Sequence, residues 1–403
     1  MGVEFLREAQ WLTGRARGYL LLFAAMNVAT LVFLVATSRE GVDRNGFLLG
    51  TDFLSFWTSG GMLRHGGAVY DQAAHIAAQS AYFVQKDGAF TAFFYPPSFL
   101  PFCLPLGLTG YFPALAAWLL AAGALYAGAV AAWLRAHAPA APSRWLLIAA
   151  FPPVLLTITH GQTSFLVAGL LGLATLLVPR SPVVSGLLFG LATIKPQFGL
   201  LVPLALLLTG EWRVIAAAGV SAIGLALLAT AMFGLDQWSH WAALSSGVQT
   251  AMDEGAVGFA KMMSVFAGAR LLGAPVALAY AAQAVVTLAV AATLAWAAWR
   301  ARWTPALGAM MLAGAPLATP FVLDYDLVLI AFPLMWLAGR EEAWSWERIA
   351  IALAFAAPAF ARPLALNVGI PLMPVVLLAL FALVTRRTLA ESGKLVATQG
   401  AAA

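Results

Sequence analysis

The chain is poor in the residues that cover soluble proteins and build metal or disulfide sites. Charged side chains make up only 10% of its 403 residues, and no polar stretch between Tyr19 and Val384 is long enough to fold by itself, which excludes a water-soluble domain with one ordinary core. Cysteine occurs once, at Cys103. A single thiol forms neither an intramolecular disulfide nor a cysteine-based metal site. Phosphate-binding loops, zinc signatures and nucleophile elbows are missing, as is a clear internal repeat of the kind that marks many transporters. The formal net charge of +5 is carried by basic residues scattered between apolar runs, so no nucleic-acid partner is expected.

What is abundant is apolar sequence. Hydrophobic residues make up 62% of the chain and the mean hydropathy is +0.87, values of an all-α, polytopic integral membrane protein. The first run, Tyr19–Thr37, follows Arg15 and Arg17 as a signal peptide would. It is longer than a signal core and many runs follow, so an uncleaved anchor is expected.

Lys and Arg favour cytoplasmic turns. Arg7, Arg15 and Arg17 place the N-terminus inside, and Arg135 with Arg144, Arg180, Arg213, Arg300 with Arg302, Arg340 with Arg348, and Arg386 with Arg387 mark later inner turns. The spacing predicts about twelve crossings between Tyr19 and Val384, several shorter than the roughly 20 residues of a full span, as broken helices around a cavity would be. Residues 1–388 then form one membrane domain with an external loop over 38–92, and the small, polar residues 389–403 form a disordered cytoplasmic tail. The segment "FFYPPSFLPFCLPLGL", residues 93–108, carries four prolines and reads as re-entrant or interfacial.

This orientation gathers the unusual polar residues on the external face. Asp52 lies in "LLGTDFLSFW", predicted as an interfacial helix in which Asp52 or Thr51 is the N-cap. His160 and Gln162 lie in "THGQTS", Lys195 in "IKPQ", and Asp324 and Asp326 in "TPFVLDYDL". An ammonium beside a proline in otherwise continuous apolar sequence either faces a cavity or partner, or snorkels to the interface. The two aspartates are helix N-terminal charges or a weak D-x-D pattern, which alone establishes no metal site. A transporter or lipid flippase would spread such groups along a path through the membrane, and a purely structural subunit would need none of them.

Together "GAVYD", "FYPPSFLPF", "GQTS", "SGLLFGLATIKPQFGLL" and "ATPFVLDYDLVLI", with an aspartate soon after the first span, resemble glycosyltransferase family 87, over roughly residues 20 to 340. The resemblance implies a GT-C-type membrane enzyme that moves a sugar, often mannose, from an externally exposed polyprenyl-phosphate donor to a lipid or glycan hydroxyl. By position it makes Asp52 the general base and Lys195 the cation beside the leaving phosphate. His160 and Gln162 would bind phosphate or sugar, Tyr95 would stack on the sugar, and Asp324 and Asp326 would bind hydroxyls. It assigns no cofactor and leaves a divalent metal open. The implied location is the plasma (inner) membrane, with the site periplasmic and both termini cytoplasmic.

Overall fold

The computed structural model describes residues 10–84, 90–299, 302–340 and 345–400. Arg7, Arg300 and residues 401–403, used above for orientation or the tail, lie outside them. The described chain is helical, with isolated β-bridges as its only extended pairing.

Among the described residues, six helices are long and apolar enough to cross a membrane: Arg15–Thr37, Tyr111–His137, Trp212–Phe233, Val276–Trp299, Trp346–Val368 and Leu372–Gly393. Five shorter apolar stretches lie between them, at Pro97–Leu108, Ser164–Leu177, Pro182–Ile194, Pro196–Thr209 and Pro305–Leu317. Fewer helices are long enough to cross than the dozen crossings expected, and proline accounts for much of the difference. The run expected over Trp145–Thr159 breaks at Phe151, where Pro152 opens a new helix, and the 182–209 region breaks at Lys195–Pro196. Proline cannot supply the amide that would continue a helix, but it suits a first turn. Pro97–Leu108 rises only about 20 Å, short of the ~30 Å hydrocarbon core.

The short pieces form the middle of the molecule. Every residue from Ala306 to Gly314 is buried, as are Asp324–Ile330 and most of Ala331–Ala338. A helix apolar all round belongs inside a protein or a membrane. The first helix and Val276–Trp299 stand outside: Leu22, Val32 and Val35 on the one, and Val285 and Leu288 on the other, are exposed, as lipid-facing side chains would be. Small residues bring helices close where no other force joins them in lipid. A Cβ on Gly186 would lie 2.3 Å from Val214 O, and one on Gly190 2.4 Å from Ser221 Cβ.

Two segments differ in packing from the sequence reading. The Phe53–Arg64 helix is packed within the protein: Phe53, Leu54 and Phe56 are buried, and its Gly60 meets Gly107 backbone to backbone, where a Cβ on either residue would fall within 2.3 Å of the other chain segment. Within the stretch expected as a tail, the described residues continue the last helix, Leu372–Gly400, and Glu391 on it pairs with Arg340 at 2.7 Å.

Candidate active site

The site is assembled where four chain breaks meet. "THGQTS" turns at Gly161, in the left-handed region at φ 66°, and a Cβ there would sit 2.6 Å from Phe53 Cβ. Glycine is thus required both for the turn and for the approach of the Asp52 segment. That segment is tied to the turn by its backbone: Gly50 N donates to Thr159 O and Asp52 N to His160 O, each at 3.0 Å. The Tyr111 hydroxyl anchors it from the long helix, bonding Leu49 O and Gly50 O.

Asp52 occupies the position before Phe53–Arg64, yet its side chain makes no capping hydrogen bond. The carboxylate turns instead to other elements. Gln162 Nε2 donates to Asp52 Oδ2 at 2.8 Å, and Lys261 Nζ stands 3.6 Å from the same oxygen. Burial by itself raises the Asp52 pKa, but Lys261 and His160 together with the Gln162 and Tyr325 hydrogen bonds outweigh it and hold the carboxyl below its ordinary value. Asp52 is therefore a stable carboxylate at neutral pH.

Gln162 is the hub. Its Nε2 also donates to the Tyr325 hydroxyl at 3.1 Å, and its Oε1 accepts from the Tyr95 hydroxyl at 2.9 Å and from Thr163 N at 3.1 Å. Tyr95 contributes through that hydroxyl. Its ring is packed 4.5 Å from Phe99 and 5.2 Å from Phe56, which leaves the sugar-stacking role without support in the geometry.

Lys195 does not snorkel. It is buried, and Nζ lies 2.5 Å from Asp326 Oδ1, which also accepts from Ser164 Oγ at 2.6 Å. Asp326 Oδ2 accepts from Leu323 N at 3.2 Å, so this carboxylate is fully engaged. Asp324 accepts from Tyr325 N at 2.9 Å and faces Arg362 Nη1 at 3.6 Å. His160 Nδ1 lies 2.9 Å from Leu156 O, the ring 5.5 Å from that of Tyr325. The three aspartates surround Tyr325 without converging, and among the described residues no group of three or more His, Cys, Asp or Glu forms a metal site.

Lys261 is the residue that sequence reasoning missed, with Tyr325 and Arg362. A short antiparallel pairing places it: Met263 N donates to Val322 O at 2.8 Å and Asp324 N to Lys261 O at 3.2 Å, around the Met262–Leu323 bridge. A signal existed, since Lys261 is the first lysine or arginine after Arg213, in a loop that the charge pattern puts on the external side. Lys195 and Lys261 each stand 5.3 Å from the centre of the Tyr325 ring, one sealed and one partly open.

No curated protein and no solved structure matches the chain. The model of glycosyltransferase family 87 matches residues 93–320, narrower than the resemblance read from the motifs. This range includes Tyr95, His160, Gln162, Lys195 and Lys261 and stops short of Asp52, Asp324 and Asp326. With more than half of its length matched and with helices fit to cross a membrane, the chain belongs to glycosyltransferase family 87 and is a membrane glycosyltransferase that joins a sugar donor to an acceptor.

Proposed function

We propose that the protein transfers a hexose, mannose favoured, from a polyprenyl-phosphate sugar to a hydroxyl of a lipid or glycan acceptor at the outer face of the plasma membrane, by one inverting displacement. The observation that carries this reading is the Asp52 carboxylate, which stands at a helix start without capping it and is aimed into a polar cluster. A sugar hydroxyl is a poor nucleophile, and a positioned carboxylate can take its proton as the new bond forms. In the step, the acceptor oxygen bonds to the anomeric carbon, the bond from that carbon to the phosphate oxygen breaks, and the proton passes to Asp52. Attack opposite the leaving group inverts the anomeric centre.

The leaving lipid phosphate gathers negative charge and needs a cation already in place. The geometry favours Lys261 over Lys195 here. Lys195 is neutralised by Asp326 in a dry setting, whereas the Lys261 side chain keeps 19% exposure and makes a looser contact with Asp52. An arriving phosphate can draw Lys261 away from Asp52, and the freed carboxylate becomes a stronger base at the moment when one is needed. Gln162 holds the carboxylate in place, and His160 lies close enough to meet a hydroxyl or phosphate oxygen. A transport path is not supported: behind these groups the Pro305–Gly314 helix is apolar and buried.

The test is turnover of radiolabelled polyprenyl-phosphate sugars by purified protein with a panel of acceptors, comparing the native chain with Asp52→Asn. Loss of the base is expected to lower transfer by about 10²–10⁴-fold while donor binding persists. Transfer at the native rate by Asp52→Asn removes Asp52 as base.

A further inference from the structure

The far end of the molecule holds a cavity with charged walls that the transfer reaction does not use. Tyr111–His137 starts beside the Asp52 loop and, at 27 residues, reaches about 40 Å away. There a cavity of about 350 Å³ opens between His137, Arg180, Arg340 and Glu391, with Leu176, Pro179 and Pro305 among its apolar walls. Its shape depends on a close backbone approach. Gly339 packs so tightly on His137 that a Cβ would lie 1.7 Å from His137 O, which brings Arg340 to the end of the long helix.

Among the described residues the charges in this cavity do not cancel. Glu391 Oε1 lies 2.7 Å from Arg340 Nε, but not in hydrogen-bonding alignment, and among the described residues Arg180 has no ion-pair partner. His137 Nε2 is buried with no hydrogen-bond partner. Buried polar atoms are nearly always satisfied, so the orphan marks a place for a hydrogen-bonding ligand, and the two guanidinium groups beside it make that ligand an acceptor. The acceptor must carry negative charge and several oxygens, because one carboxylate already shares Arg340 and the remaining donors come from two further elements. A phosphomonoester has this form: its oxygens spread in three directions and suit planar guanidinium forks. The volume admits a headgroup-sized ligand and little more. Arg180 and Arg340 also stand in turns that the charge pattern assigns to the cytoplasmic side, where anionic lipids concentrate.

We propose that this cavity is a binding site for a phosphomonoester, held by Arg180, Arg340 and His137 at the end of the molecule opposite the transfer site. The ligand is either the headgroup of an anionic lipid or a soluble phosphate ester. Native mass spectrometry of the full chain in detergent tests it, by titration with phosphatidic acid and, for comparison, phosphatidylcholine, whose phosphate is capped. Phosphatidic acid is expected to bind at least tenfold more tightly than phosphatidylcholine, and Arg180→Gln to weaken it about tenfold. Arg144→Gln, which removes a guanidinium stacked on Trp145 outside the cavity, should leave it unchanged. Competition by glycerol 3-phosphate assigns the site to soluble esters; phosphatidic acid binding without such competition assigns it to lipid. Equal phosphatidic acid affinity in the native chain and Arg180→Gln, or an equal loss in Arg144→Gln, overturns the proposal.

Discussion

Two lysines flank the same tyrosine and live in opposite conditions. Lys195 is shut in with Asp326, and Ser164 completes the carboxylate's shell at 2.6 Å. Lys261 reaches Asp52 only at 3.6 Å, with both side chains still partly open. A buried, saturated pair is committed to holding its surroundings in place, because each charge is stranded if the other leaves. A loose, partly exposed pair has little to lose from exchanging partners. The Lys195 pair therefore reads as the frame of the site and the Lys261 pair as its moving part.

The largest effect should come from breaking the frame. Lys195→Met leaves the Asp326 carboxylate buried without its cation and is expected to cost about 3–5 kcal/mol. A thermal-unfolding comparison in detergent measures this, and the double change Lys195→Met with Asp326→Leu should recover much of the loss. If the single variant melts like the native chain, Lys195 is not a structural cation and becomes available for the phosphate.

Lys261→Met should do the reverse. Its stability is expected to stay within about 1 kcal/mol of native, since the pair is partly exposed, while transfer falls roughly 10- to 100-fold through weaker stabilisation of the leaving phosphate. Steady-state kinetics with a melting curve on the same preparation separates the two lysines. A large loss of stability with unchanged turnover would exchange their roles.

How much of this was legible in the sequence depends on background. Asp52, Lys195, Asp324 and Asp326 are conspicuous because they interrupt apolar sequence, where a charge is costly. Lys261 sits in a loop segment, "GFAKMMS", where a lysine is ordinary, and only the pairing of Met263 with Val322 brings it to the site. Tyr325 looks like any core aromatic until Gln162 is placed against its hydroxyl. Proline made the broken helices readable. It could not say which short helices lie in the middle, because a piece buried by protein and one buried by lipid have the same composition. The surroundings of the Phe53–Arg64 helix are hidden for that reason: its aromatic residues announce burial without naming the neighbour, and the Gly60–Gly107 contact joins positions far apart in sequence.

The smallest effect concerns pH and bears most directly on how the loose pair works. Lys261 helps to hold the Asp52 pKa below its ordinary value. A base is active above its pKa and fails as the pH falls through it, so the native enzyme should keep its activity well into the acid range. Removing Lys261 takes away a charge that favours the carboxylate, the pKa rises, and the acid limb of the kcat/KM profile in Lys261→Met should move to higher pH. The same sign holds for folding: a depressed carboxyl adds stability that is present above its unfolded pKa and lost as the pH falls through the folded one, so the variant should lose part of that acid-range advantage. A profile that merely drops in height, with its acid limb unmoved, would mean that Lys261 acts on the phosphate alone and that its contact with Asp52 has no part in setting the base.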